Sequence, residues 1–183
     1  MRHVPLRVPH LDRRSPTFSP GFVPQQITGE KVGSGGELHG PPLILTLRYS
    51  RRMTINWDDL IEKASTVRQK AYAPYSDFHV GAALLDDRGV VCCGCNVENV
   101  SYGLSVCAER HAVAAAIADG SRSFRALVVI TDVSPPGSPC GACRQVLAEF
   151  GDFPILLVNP GGERVETSVE TLLPMAFRPE DLG

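Results

Sequence analysis

Cys107, Glu109, Cys140 and Cys143 are the residues whose types and spacing could do chemistry. They stand at the heads of two stretches, CAERHAVAAAIADG and CGACRQVLAEF, that read as helices. At a helix start, positions i and i+3 are neighbours, so Cys140 and Cys143 can converge. Cys107 opens the other helix, and the strand-like run RALVVITDV lies between the two. The helices are therefore expected to follow neighbouring strands of one sheet, with their N-termini turned toward a common point. Each N-terminus carries a partial positive charge that favours a thiolate. Three thiolates around a zinc ion leave one tetrahedral position open. A structural site normally closes with four protein ligands, whereas an open one binds water and lowers its pKa to about 7.

Glu109 then stands beside the open position, where a carboxylate can carry protons. Away from a metal it would be an ordinary first-turn acid supporting the helix dipole. Three thiolates overcompensate a doubly charged ion by one unit, and a nearby arginine would temper that excess. Arg110 is the first candidate and Arg144 the second, and either is equally readable as a solvated surface charge. The competing interpretation of Cys140 and Cys143 is a redox pair, which leaves Cys107 followed by Glu109 unexplained. A zinc ribbon would want a second C-x-x-C, and VVCCGCNV supplies one in Cys92 and Cys95. That segment reads as a strand, however, where i and i+3 point to opposite faces. Burial is the expected role of Cys92, Cys93 and Cys95.

The elements that must position these residues follow from pattern and turn chemistry. Asn56 can cap a helix with Asp58 and Asp59 in its first turn and Leu60, Ile61, Ala64, Val67 and Ala71 at helical spacing. The segment FHVGAALLDDRGVVCCGCNVEN predicts a hairpin closed by Asp-Asp-Arg-Gly, with Phe78, Val80, Ala82 and Leu84 on one face. RALVVITDV lacks alternation and predicts a strand buried on both sides. FPILLVNPGGERVETSV predicts two more strands around Pro-Gly-Gly, and VETLLPMAF a short helix and a tail. The order α-β-β-α-β-α-β-β implies an α/β layered domain on a five-stranded sheet.

Composition bounds the class. The 183 residues, 43% hydrophobic and 21% charged, suit one globular domain with extra sequence. No apolar run reaches the ~18 residues that span a bilayer. Residues 1–52 hold 8 Lys+Arg against 3 Asp+Glu, while residues 53–183 hold 10 against 17. The first segment also carries 7 of the 15 prolines and a GSGG run. It reads as a disordered extension, dispensable or outside the true start, and residues 53–183 as the folded domain. No continuous apolar core opens the chain as a secretory signal requires, so a cytoplasmic protein with reduced cysteines is expected.

CAER and PCGAC together resemble the zinc-dependent cytidine deaminases. YAPYSDFHVGAAL, GCNVENVSYG and LLPMAF are similar to segments of the small, homotetrameric free-nucleoside members, from about Trp57 to about Leu182. The resemblance implies a three-layer α/β/α fold with a mixed five-stranded sheet. It implies one zinc ion per subunit on Cys107, Cys140 and Cys143, with Glu109 as proton shuttle and Arg110 as the charge-tempering arginine. Asn96 and Glu98 would hold the ribose hydroxyl, Phe78 would pack on the pyrimidine, and the Ala108 backbone would read the base edge. Tyr102 and Phe177 would complete the pocket, partly from neighbouring subunits. By residue type alone, Phe78, Tyr102 and Phe177 would be packing residues. Asn96 and Glu98 lie two apart on a strand end, pointing the same way, and an amide with a carboxylate suits a hydroxyl.

The activity so implied is hydrolytic deamination of cytidine and 2′-deoxycytidine within pyrimidine salvage, on a small nucleoside. No membrane or nucleic-acid polymer partner is expected. A polynucleotide-editing relative would need a basic track, which the acidic balance of residues 53–183 opposes. The alternatives are deamination of a related nucleoside or nucleoside antibiotic, and a structural zinc module whose fourth position protein would fill.

Overall fold

The computed structural model describes residues 54–182. The extension predicted as disordered, residues 1–52, lies outside the described residues. The first helix, α1 (Trp57–Arg68), begins where Asn56 turns its side-chain oxygen onto the Asp59 N–H at 3.2 Å. Asp58 and Asp59 face the positive end and Arg68 the negative end, as the helix dipole favours. The helix stops at Arg68 rather than reaching Ala71, whose N–H closes a turn onto the Arg68 carbonyl.

A hairpin follows, β1 (Gly81–Asp86) and β2 (Val91–Cys95), paired antiparallel. Its turn places Gly89 at φ 87°, a conformation that costs glycine nothing. Then come α2 (Ala108–Ala118), β3 (Phe124–Ile130), α3 (Gly141–Ala148), β4 (Pro154–Val158), β5 (Arg164–Ser168) and the short α4 (Val169–Leu172). The five strands form one sheet in the order β2-β1-β3-β4-β5. β3 and β4 run parallel and the other pairs antiparallel, so the sheet is mixed.

Side-chain alternation divides the sheet into two buried faces. Ala82, Leu84, Leu127, Val129, Ile155 and Leu157 pack with α2 and α3. Ala83, Leu85, Ala126, Val128, Ile130, Leu156 and Val158 pack with Leu60 and Ala64 of α1. That is a three-layer α/β/α arrangement. Leu60, 1% exposed, contributes about 2 kcal/mol through its burial and ties α1 to the sheet. β3 is covered on both faces, which explains why its sequence does not alternate.

The topology also sets where helices begin. β2 and β3 both run antiparallel to β1, so they point the same way, and α2 and α3 start beyond the same edge of the sheet. The expectation that the two helices follow neighbouring strands is corrected here. β1 lies between β2 and β3, and nothing in a strand's own pattern states its neighbour.

The hairpin turn is braced from inside. Asp86 is 1% exposed and accepts from the N–H groups of Arg88 and Val90 at 2.9 and 2.8 Å and from Arg88 Nε at 2.7 Å. Burial pushes the Asp86 carboxyl up, but the Arg88 hydrogen bond, the backbone donors and the guanidinium charge outweigh it and hold it below the usual aspartate range. Because the folded-state pKa is lowered, this contribution is complete above the ordinary aspartate pKa near 4 and disappears as pH falls through the folded value. Asp86→Ala should lower stability by about 2 kcal/mol through two stranded backbone donors. Urea denaturation at neutral pH measures the loss, and the gap from the parent should narrow in acid.

Candidate active site

Cys107 and Cys140 occupy the positions just before the first residues of α2 and α3. Those positions usually go to Ser, Thr, Asp or Asn, whose side chains satisfy the free N–H groups of the first turn. Here neither thiol makes such a capping bond. Each sulfur is left to point beyond its helix end. Cys143 lies one turn into α3 and is fully buried, while Cys140 is exposed and Cys107 half-buried. The three Sγ atoms lie within 4.8 Å of one another, and Cys107 and Cys140 are 3.6 Å apart.

This donor set fits zinc. A tetrahedral ion with Zn–S bonds of about 2.3 Å requires sulfurs about 3.8 Å apart, close to the observed separation. The cluster contains three donors among the described residues, which leaves room for a fourth ligand. The electrostatics favour a negative charge on Cys107. The Cys107 thiol is drawn down to about 5, first by its hydrogen bond with Cys143 and, against burial, by Cys140 and Arg110. Cys143 is pushed up, because Cys107 takes the negative charge first and burial opposes a second.

Glu109 projects from the first turn of α2 and is 4% exposed. Burial raises its carboxyl above the ordinary range, and the Cys107 charge adds to the effect. It lines a cavity of about 170 Å³ with Cys107, Cys140, Phe78, Val80 and Asn96. Val129, Thr131, Gly137 and Ser138 complete the wall. Sequence reasoning missed these last four. Their signal was position alone: two close the end of β3 and two immediately precede Pro139-Cys140.

The two arginine candidates separate. Arg110 Nη2 approaches Cys107 Sγ at 4.0 Å and donates to the Ser105 carbonyl at 3.3 Å. Arg144 turns away from the sulfurs and donates to the carbonyls of Pro139 and Leu172 and to Ser138 Oγ at 2.8 to 3.0 Å. It ties the loop before α3 to α4.

Asn96 and Glu98 both reach toward the segment 75–80, as side chains two apart on an extended chain should. Asn96 accepts from the Val80 N–H at 2.8 Å and donates to the Phe78 carbonyl at 2.7 Å. Glu98 accepts from the Tyr75 and Ser76 N–H groups at 2.8 and 3.3 Å and from the Ser76 hydroxyl. Only Asn96 lines the cysteine cavity. Glu98 lines a neighbouring one of about 270 Å³ with Tyr75, Ser76, Tyr102 and Ser105. Tyr102 is mostly exposed and meets Tyr75 edge-on, with centroids 5.8 Å apart. Phe177 is also exposed, and its carbonyl accepts from Gln145 Nε2 at 2.7 Å. Neither aromatic belongs to the cysteine cavity of this chain. Ala108 is fully buried at the first position of α2, where the backbone N–H has no partner within the helix.

The family described as the cytidine and deoxycytidylate deaminase zinc-binding region matches residues 55–158. The chain belongs to this family. A cytidine deaminase of Sporosarcina psychrophila is 52% identical over 128 residues, 69% of this chain and 94% of that protein. A probable cytidine deaminase of Dictyostelium discoideum is 46% identical over 123 residues, covering 67% and 84%. The crystal structure of a cytidine deaminase from Burkholderia pseudomallei superposes with a TM-score of 0.65 at 50% identity, covering 67% of this chain and all of that one. The three-layer fold and the zinc dependence are therefore those of the cytidine deaminase family. Packing explains how the fold holds the helix that carries Glu109 in place. A Cβ on Gly94 of β2 would meet the Ala108 carbonyl, with Ala112 N at 2.5 Å and His111 Cβ at 2.8 Å. The first turn of α2 is thus seated directly on strand backbone. His111 Nδ1 adds a 2.7 Å hydrogen bond with the Cys95 carbonyl.

Proposed function

We propose that this protein hydrolyses cytidine and 2′-deoxycytidine to the uracil nucleosides and ammonia. The observation that carries the proposal is a cluster of three sulfurs, two of which line one cavity together with a buried carboxylate. Cys107, Cys140 and Cys143 would hold the ion, and Arg110 would offset the excess thiolate charge. When bound, zinc acts as a Lewis acid that brings the pKa of water to about 7.

Glu109 accepts a proton from the attacking water and delivers it to ring N3. It then takes the remaining proton of the new C4 hydroxyl and passes it to the departing amine, so that the C–N bond breaks, the C4 carbonyl forms and ammonia leaves. A carboxyl raised by burial suits this exchange, because efficient acid–base groups titrate near the working pH. Phe78 forms the aromatic wall for the pyrimidine. The Ala108 N–H, without a partner inside α2 and between the cavity-lining Cys107 and Glu109 in the chain, would read the base edge. Asn96 and Glu98 support ribose binding directly or by shaping the segment 75–80. Tyr102 and Phe177, placed outside the cavity, fit completion of the pocket across subunits in a homotetramer. The exposed apolar side chains Val100, Tyr102, Leu104, Met175 and Phe177 support such an assembly.

The catalytic domain is assigned to residues 53–183. A cytoplasmic place in pyrimidine salvage agrees with six free cysteines, three of them clustered. No helix among the described residues is long and apolar enough to cross a membrane.

Zinc analysis combined with ammonia release tests the activity. About one zinc per chain is expected, with turnover on cytidine and deoxycytidine and little on the monophosphate or single-stranded DNA. Zinc bound without ammonia from any nucleoside would convert the site to a structural module.

A further inference from the structure

Phe78 enters the cavity from a short segment, Phe78-His79-Val80, that precedes β1 and belongs to no strand. Asn96 grips this segment at its two ends, through the Phe78 carbonyl and the Val80 N–H. The Phe78 N–H also donates to Ser76 Oγ at 3.1 Å and the Val80 carbonyl accepts from the Asn96 N–H at 3.3 Å, so both ends are held. None of these bonds holds the His79 peptide between them, whose rotation would swing the Phe78 ring. A contact at His79 itself removes that freedom. The His79 N–H, midway between, donates to Asp132 Oδ2 at 3.3 Å, and His79 Nδ1 lies 3.7 Å from the same oxygen.

Asp132 follows the cavity-lining Thr131 just beyond the end of β3, yet does not itself line the cavity. Its other oxygen, Oδ1, pairs with Arg68 Nη1 at the end of α1, on the opposite face of the sheet from α2 and α3. Arg68 Nε is buried with no hydrogen-bond partner among the described residues, and this carboxylate is the acid the guanidinium pairs with there. The aspartate is thus fixed from behind before it holds the segment in front.

We propose that Asp132, anchored on Arg68, is a positioning residue that locks the His79 backbone and thereby sets the Phe78 ring over the substrate cavity. The proposal rests on the deamination reading above. Its consequence falls on nucleoside binding more than on the proton transfers, because neither Glu109 nor the cysteines touch the clamp.

The test compares Asp132→Ala and Asp132→Asn with the parent, measuring kcat and KM for cytidine and zinc content. Asp132→Ala should raise KM about tenfold with kcat within about twofold, the pattern of lost uniform binding. Zinc should stay at the parental level. Asp132→Asn keeps an oxygen acceptor for the His79 N–H and should return KM to within about threefold of the parent. If the alanine variant does not fold because Arg68 is left unpaired, the double variant Arg68→Met, Asp132→Ala removes both charges. It should show the same rise in KM. An unmoved KM in the folded alanine or double variant overturns the proposal. So does an asparagine variant as impaired as the alanine one, or a fall in kcat with KM unchanged. A parent that releases no ammonia from cytidine overturns the deamination reading and this proposal with it. An active parent whose variants keep their KM overturns the positioning role alone.

Discussion

Glu109→Gln should keep its zinc and lose about 10⁴-fold in kcat, the upper range of what a positioned acid–base group contributes. The substitution is nearly isosteric, and it removes the one property the mechanism needs. A carboxylate can take a proton and return it, whereas an amide cannot. Burial and the Cys107 charge raise the Glu109 carboxyl, so its carboxylate is a better base for the proton of water and keeps that proton until ring nitrogen or a leaving amine takes it. Glutamine pays no comparable desolvation cost as a charged group, so the fold should be as stable as the parent or more so. Zinc analysis and single-turnover kinetics check the two halves separately. Zinc at the parental level with undiminished turnover would move the shuttle to another group. Loss of zinc would mean that Glu109 supports the ligand set instead.

The local elements were legible because each has its own chemistry. Asn56 and two aspartates announced α1, and the Asp-Asp-Arg-Gly turn announced the hairpin. The unbroken apolar run of β3 announced burial on both faces. Strand order was not legible. β1 stands between β2 and β3, although chain order and parallel direction alone allow them to be neighbours. Ala71 was a smaller failure. Its spacing continues the apolar stripe of α1, but the chain has already left the helix at Arg68 to make the turn toward Tyr72.

In the site, the three sulfurs were legible from geometry that is local to a helix start. The choice between Arg110 and Arg144 was not, because both follow a cysteine at helical spacing. Only the tertiary fold shows Arg144 committed to three acceptors around the loop before α3. The clamp on Phe78-His79-Val80 was invisible for a similar reason. Asp132 is an unremarkable acid after a strand until α1, from the far layer, brings Arg68 to it. That Asn96 and Glu98 bond the backbone of the segment 75–80 was not legible either, because those hydrogen bonds depend on how that segment folds back.

The two C-x-x-C pairs should respond in opposite ways to alanine, and this contrast tests the metal assignment most directly. Cys143→Ala should reduce zinc from about one per chain to nearly none and bring deamination to background, because a third thiolate is required to hold an open tetrahedral site. The change removes the innermost sulfur, fully buried one turn into α3. Alanine is an excellent helix former, so α3 itself should persist. Circular dichroism close to the parent's would separate metal loss from unfolding. Cys92→Ala should leave zinc and turnover at parental levels. Its sulfur packs against the core beneath α2, whereas Cys95, three residues along the strand, turns its sulfur to the Lys70 carbonyl at 3.6 Å, so that pair does not meet at one ion. Removing the Cys92 sulfur should cost only about 1 kcal/mol of packing. Zinc retained in the Cys143 variant and lost in the Cys92 variant would transfer the centre to the strand. It would also leave Glu109 with no metal beside it and the proposed chemistry without a site.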